Sequence, residues 1–179
     1  MITDMNSNKK IIYLHCVGGQ EHFTSYTVNL APKVGPLGLS PRMVAEEIIK
    51  QTQEWKHVRV KCKVVVQDRS FRVEIMPSCA SYIIRALNQS MAALGCSASR
   101  HVRSERFSKS SLYKQGNLSM EQVFDIARKM KPRSRSKELK GCVQQVLGTC
   151  VSIGCQVECQ DPKQVQLLLT CGVLSVPLE

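Results

Sequence analysis

The chain has 179 residues, enough for one large domain or two small ones. Its 43% hydrophobic content supports a packed core and excludes wholesale disorder, and its 5% aromatic content excludes nucleic-acid binding that leans on base stacking. A formal charge of +11 calls for a polyanionic partner or a strongly solvated surface.

The start, MITDMNSNKK, is polar, and the apolar run 11–17 is too short for a secretory signal. No window of eighteen apolar residues exists, so no membrane-spanning helix is expected. The expected compartment is reducing, and the nine cysteines are read as free thiols.

Residues 11–16 (IIYLHC) predict a short strand. Residues 30–42 (LAPKVGPLGLSPR) alternate Pro32, Pro36 and Pro41 with Gly35 and Gly38. Proline fixes φ and glycine opens conformations that other residues avoid, so a rigid, shaped loop is expected. It would carry Val34, Leu37 and Leu39 near the surface as a docking element. Ser40 can cap a following helix with Pro41 at its first position and Val44, Ile48 and Thr52 on one face. Residues 58–66 alternate Val58, Val60, Cys62, Val64 and Val66 with polar residues. A polar turn (67–70) leads to Phe71, Val73 and Ile75. These make a hairpin whose apolar face the helix 41–53 would cover.

Pro77 marks a boundary between an N-terminal α/β domain, 1–76, and a C-terminal helical domain, 77–179. Ser78 can cap a helix through about Leu87, with Cys79, Ile83 and Leu87 aligned. Residues 88–115 read as a mobile basic loop. Ser119 and Gln122 form a capping-box pair ahead of Val123, Ile126, Ala127 and Met130. Another helix spans Lys137 to Ile153, with Leu139, Val143, Val146 and Leu147 inward and an interruption at Gly148 before Val151. Asp161-Pro162 opens a last helix that Gly172 could end. The fold class is α+β: a β-hairpin sheet packed on helices, then a small all-helical bundle, with no internal repeat.

Charge is concentrated. Residues 100–140 hold 12 basic and 4 acidic side chains, net +8. Arg128, Lys129, Lys131, Arg133, Arg135, Lys137 and Lys140 cluster between two helices, while Arg100, Arg103, Arg106, Lys109 and Lys114 fall on the preceding loop. Such a cluster neutralises phosphates with salt-dependent affinity. Two small-residue stretches flank helices: GNLS (116–119) and GTCVSIG (148–154). They could let backbone approach a sugar-phosphate surface, with Thr149 and Ser152 offering hydroxyls. Gly148 and Gly154 read equally well as packing and C-cap glycines.

Other chemistry finds little support. Cys155 and Cys159 have ligand-like spacing, with Cys142 and Cys150 upstream, but no second tight pair completes a four-ligand zinc site. Buried small hydrophobes is the reading for these cysteines. His15 and Cys16 are strand neighbours that point to opposite faces, so they form no nucleophile–base pair. Gly35 to Gly38 fits the GXXG spacing of KH domains but lacks basic residues between the glycines. No phosphate-binding GxxxxGK[ST] loop is present, and nothing indicates an enzyme or a cofactor.

The blocks LAPKVGPLGLSP (30–41), EEIIKQT (46–52), GNLSMEQVFDIARKM (116–130) and RSRSKELKGCVQQVLGTCVSIGCQVE (133–158) resemble the universal stalk-base protein family of the large ribosomal subunit, in its eukaryotic cytosolic form. The resemblance implies two domains. The C-terminal one grips rRNA of the GTPase-associated centre. The N-terminal one, with its proline-rich loop, faces that RNA and incoming translation factors. It implies RNA contacts at Gly116, Asn117, Gly148, Thr149, Ser152 and Gly154, supported by Lys129, Lys131 and Arg133. It implies a factor-facing surface at Pro32, Pro36 and Pro41. The implied partners are large-subunit rRNA, ribosomal stalk proteins and, transiently, elongation factors, with no membrane. The implied location is the cytosolic ribosome, after nuclear and nucleolar passage during assembly. Segments 20–29 and 88–115 depart from the family pattern. They leave a second reading, a divergent paralogue acting off the ribosome as a protein-interaction module.

Overall fold

The computed structural model describes residues 9–19, 23–67, 70–93 and 116–176. The chain divides into two compact units, Met1–Ser81 and Tyr82–Glu179.

The first unit holds strand β1 (Lys10–Val17), helices α1 (Phe23–Val34) and α2 (Pro41–Gln51), and strands β2 (Arg59–Gln67) and β3 (Ser70–Met76). The strands form one antiparallel sheet in the order β1-β2-β3, so β1 extends the expected hairpin. Leu14 lies opposite Cys62, and Val64 lies between Ile12 and Val73. The two-residue period buries Val60, Cys62, Val64 and Val66 on one face with Leu14 and Cys16. Helix α2 packs against β3 and buries Val44, Ala45 and Ile48. Thr52 ends that helix, its hydroxyl donating to Ile48 O at 2.7 Å. Inside this core the Sγ atoms of Cys16 and Cys62 lie 3.1 Å apart. The hydrogen bond to Cys62, with burial added, pushes the Cys16 thiol above its ordinary pKa.

The proline-rich stretch differs from expectation. Residues 30–34 are the last turn of α1, Pro32 included; Gly35–Leu37 is a single 3-10 turn. Val34 and Leu39 are buried in the core and Leu37 is half-buried, so Val34 and Leu39 serve packing and not docking. Leu30 and Val34 sit one helical turn apart and both are buried, which outweighs the proline. Ser40 stands at the N-cap position of α2, but its side chain makes no capping bond among the described residues.

Helix α3 (Cys79–Ala93) starts where Ser78 Oγ accepts the Ser81 N–H at 3.2 Å and Ser81 Oγ donates to Arg59 O at 2.8 Å. It runs six residues past Leu87, so 88–93 is helix and not loop. Asn88, Gln89 and Ser90 are helix-compatible residues on outward positions, and their polarity hid the helix. The expected loop over 94–115, with its five cations, lies outside the described residues.

The second unit contains β4 (Asn117–Leu118), α4 (Met120–Met130), a 3-10 turn Lys131–Arg133, α5 (Leu139–Ile153), β5 (Gln156–Val157) and α6 (Pro162–Thr170). Helices α4 and α6 both pack on α5. The core gathers Val123, Ala127, Val143, Val146, Leu147, Cys150 and Leu169. The capping box forms in full: Gln122 N donates to Ser119 Oγ and Ser119 N to Gln122 Oε1. Asp161 caps α6 by accepting from Lys163 N. Two features were not anticipated. Helix α5 is continuous through Gly148, and β4 and β5 form a short parallel pair that ties its far end to the start of α4. The architecture is α+β. Among the described residues no helix is long and apolar enough to cross a membrane.

Candidate nucleic-acid interface

Helix α5 buries one side completely, with Cys142, Val143, Val146, Leu147 and Cys150 inward. Its outward stripe at i, i+3, i+4, i+7 spacing is Gln145, Gly148, Thr149 and Ser152. These side chains are short or flat. Thr149 Oγ1 donates back to Gln145 O at 2.9 Å, and Ser152 Oγ to Thr149 O at 2.7 Å. Both hydroxyls thereby lie close along the helix and keep lone pairs toward the outside.

Gly148 sits at the centre of this stripe. Among the described residues a Cβ placed there would meet only Gln166 Nε2, at 3.6 Å, an ordinary contact. No described neighbour demands a glycine at this position. Gly154 is different. With φ of 89° it is the left-handed C-cap of α5, its N–H bonded to Cys150 O at 2.8 Å. The C-cap reading that sequence left open is therefore the geometry at Gly154, while Gly148 has no such structural cause.

A hydrogen bond ties the cationic turn to this stripe. The turn after α4 carries Lys131 and Arg133, and the next residue, Ser134, donates from Oγ to Gln145 Oε1 at 2.9 Å. Arg133 and Arg135 are exposed on either side of that anchor. Gln145 and Ser134 escaped sequence reasoning because the helix was expected to break at Gly148; continued helical spacing would have placed Gln145 beside it. Lys129 lies elsewhere, with Nζ 5.9 Å from the Tyr82 ring centroid.

At the C-terminal end of α5, Gly116 is buried and its carbonyl accepts Gln156 N–H at 2.9 Å. Asn117 is exposed, but its carboxamide is spent on the neighbouring turn at Cys159. Glu158 and Cys159 both have positive φ, 50° and 61°. Pro32 and Pro36 of the first unit are exposed and Pro41 is half-buried. Cys155 is buried and Cys159 exposed; among the described residues no group of three or more His, Cys, Asp or Glu could hold a metal.

Residues 76–157, which include α4, α5 and both short strands, match the family model described as "Ribosomal protein L11, RNA binding domain". Residues 12–71 match "Ribosomal protein L11, N-terminal domain". The large ribosomal subunit protein uL11 of Caenorhabditis elegans is 38% identical over 170 residues, covering 95% of this chain and 94% of its own. Protein uL11z of Arabidopsis thaliana is 40% identical over 167 residues, covering 93% and 92%. With both halves matched and similarity running nearly end to end, the chain belongs to the ribosomal protein L11 family.

Proposed function

We propose that the protein binds rRNA of the GTPase-associated centre at the stalk base through the outward stripe of α5 and the cationic turn pinned to it. Family membership makes it a structural, RNA-binding constituent of the large ribosomal subunit and not an enzyme. The observation that carries the RNA reading is Gly148. A glycine inside a helix costs about 1 kcal/mol relative to alanine, and here no neighbour among the described residues requires it. A partner that comes within touching distance of the helix backbone would require it.

In this reading Gly148, Thr149 and Ser152 meet the sugar-phosphate surface by shape. Lys131 and Arg133 neutralise phosphates alongside, and Lys129 adds to the field from α4. Gly116, Asn117 and Gly154 shape the end of that surface. Pro32, Pro36 and Pro41 face translation factors, next to stalk proteins, in the cytosolic ribosome that the protein joins after nucleolar assembly. In this reading 1–76 and 77–179 are the functional domains.

The test is binding of the full chain to a transcript of that rRNA across a salt series. Replacing Lys129, Lys131 and Arg133 with alanine is expected to weaken binding and flatten the salt dependence. An unchanged slope removes these residues from the interface. The protein should also sediment with large subunits and be stripped from them by high salt.

A further inference from the structure

Strand β1 is an edge strand, and among the described residues it pairs with β2 alone. Gly18 N donates to Val58 O at 2.9 Å, and its carbonyl accepts His57 N–H at 3.0 Å. The antiparallel pattern repeats every two residues. Cys16, Leu14 and Ile12 therefore turn their backbone groups to β2, and Ile11, Tyr13 and His15 turn theirs to the open edge. Side chains on that stretch are unusually apolar for an edge: Ile11 is 47% exposed and Tyr13 49%. Such an edge is a template for another strand.

Charge says what kind of strand. β1 carries Lys10 and no carboxylate. Across the outward face of β2 run Arg59, Lys61 and Lys63, spaced two residues apart. Lys61 leans over β1, its Nζ 4.3 Å from the Tyr13 ring centroid. That brings a cation to within one strand spacing of the open edge. Glu74 is the one carboxylate on the outward face of the described sheet, and Lys63 already holds it at 3.0 Å. A second copy of β1 would bring only further cations to the seam. An RNA strand offers no alternating donors and acceptors to match the edge. We propose that the edge of β1 at Ile11, Tyr13 and His15 accepts an extended, acidic segment of another protein by strand addition, with its apolar side chains on Ile11 and Tyr13 and its carboxylates on Lys61.

The probe is a short labelled peptide alternating glutamate and valine, titrated into the full-length protein by fluorescence anisotropy. A lysine–valine peptide and an oligouridylate are run in parallel. The acidic peptide is expected to bind, the basic one not to bind, and the oligouridylate not to displace it. Backbone amides of Ile11, Tyr13 and His15 should gain hydrogen-exchange protection. Lys61→Glu should weaken binding about tenfold or more. Reversing Lys163, an exposed cation of the second unit, should leave it unchanged. Ile11→Pro removes an edge donor that β2 does not use and should abolish binding, with thermal melting checking the fold. The proposal is overturned if Lys61→Glu binds like wild type, if protection appears elsewhere, if the oligouridylate displaces the peptide, or if the edge protects itself by self-association at increasing protein concentration.

Discussion

Asn117 braces Cys159 from across the β4–β5 pair: its Oδ1 accepts the Cys159 N–H at 2.9 Å and its Nδ2 lies 3.3 Å from the Cys159 Sγ. The brace matters because Glu158 and Cys159 are both left-handed in a two-residue turn closed by Val157 and Gln160. That turn favours Asn and Gly, and neither residue here is one of them. Asn117→Ala is expected to cost about 1–2 kcal/mol and to lower rRNA affinity with it. Adding Cys159→Gly relaxes the turn. Thermal melting should recover, and affinity should recover in step if Asn117 acts by positioning the turn. Affinity that stays lost while stability returns would make Asn117 a direct RNA contact.

Gly141, in the first turn of α5, holds the cationic turn in place by its lack of a side chain. A Cβ there would collide with Ser136 Oγ and lie 3.2 Å from Ser136 Cβ. Ser136 Oγ is committed to Glu138 O at 2.9 Å. Gly141→Ala should therefore destabilise by about 1–3 kcal/mol, although alanine is the better helix former. The displaced segment carries Arg133 and Arg135, so rRNA affinity should fall as well. Ser136→Ala in the same chain should return part of both losses, a non-additivity that melting curves of the four combinations measure.

Elements whose own side chains sort by face were legible before any coordinates. The alternation from Val58 to Val66 marked β2, and the Ser119–Gln122 pair marked the start of α4 to the residue. Elements fixed by distant burial were not. Helix α1 survives Pro32 because Leu30 and Val34 are buried under other elements. The two-residue strands β4 and β5 are too short to show a period, and only their pairing across the chain defines them. At the candidate interface, residue types located Gly148, Thr149 and Ser152. The bond that brings the cations to them, Ser134 to Gln145, depends on the path of a turn and left no local pattern.

Acid should act on the first unit through Glu74. The hydrogen bond from Lys63 holds its carboxyl below the usual carboxylate range, helped by the charges of Lys63, Arg72 and Lys9. A depressed folded pKa means stability that is present above the unfolded value and lost as pH falls through the folded one. Glu74→Gln should thus melt slightly below wild type at neutral pH, the gap being small because the pair is near the surface. The two melting temperatures should converge once the pH has fallen through the depressed folded-state pKa of Glu74. A gap that persists in acid would assign the effect to packing and not to charge.

Gly148→Ala separates what the fold needs from what the RNA needs. Among the described residues the new methyl meets one ordinary contact, Gln166 Nε2 at 3.6 Å, on an exposed helix position. Alanine loses less backbone entropy than glycine on entering a helix, so the variant should be more stable than wild type by up to about 1 kcal/mol. If the bare backbone at Gly148 is where a folded RNA touches the helix, the same methyl should push that surface away and weaken binding. The weakening should change the salt slope little, because no phosphate-neutralising charge is removed. Higher melting temperature, lower rRNA affinity and an unaltered slope form a signature that a merely structural glycine would not produce. A variant that is stabilised and binds at full strength would move the RNA contact off the centre of α5.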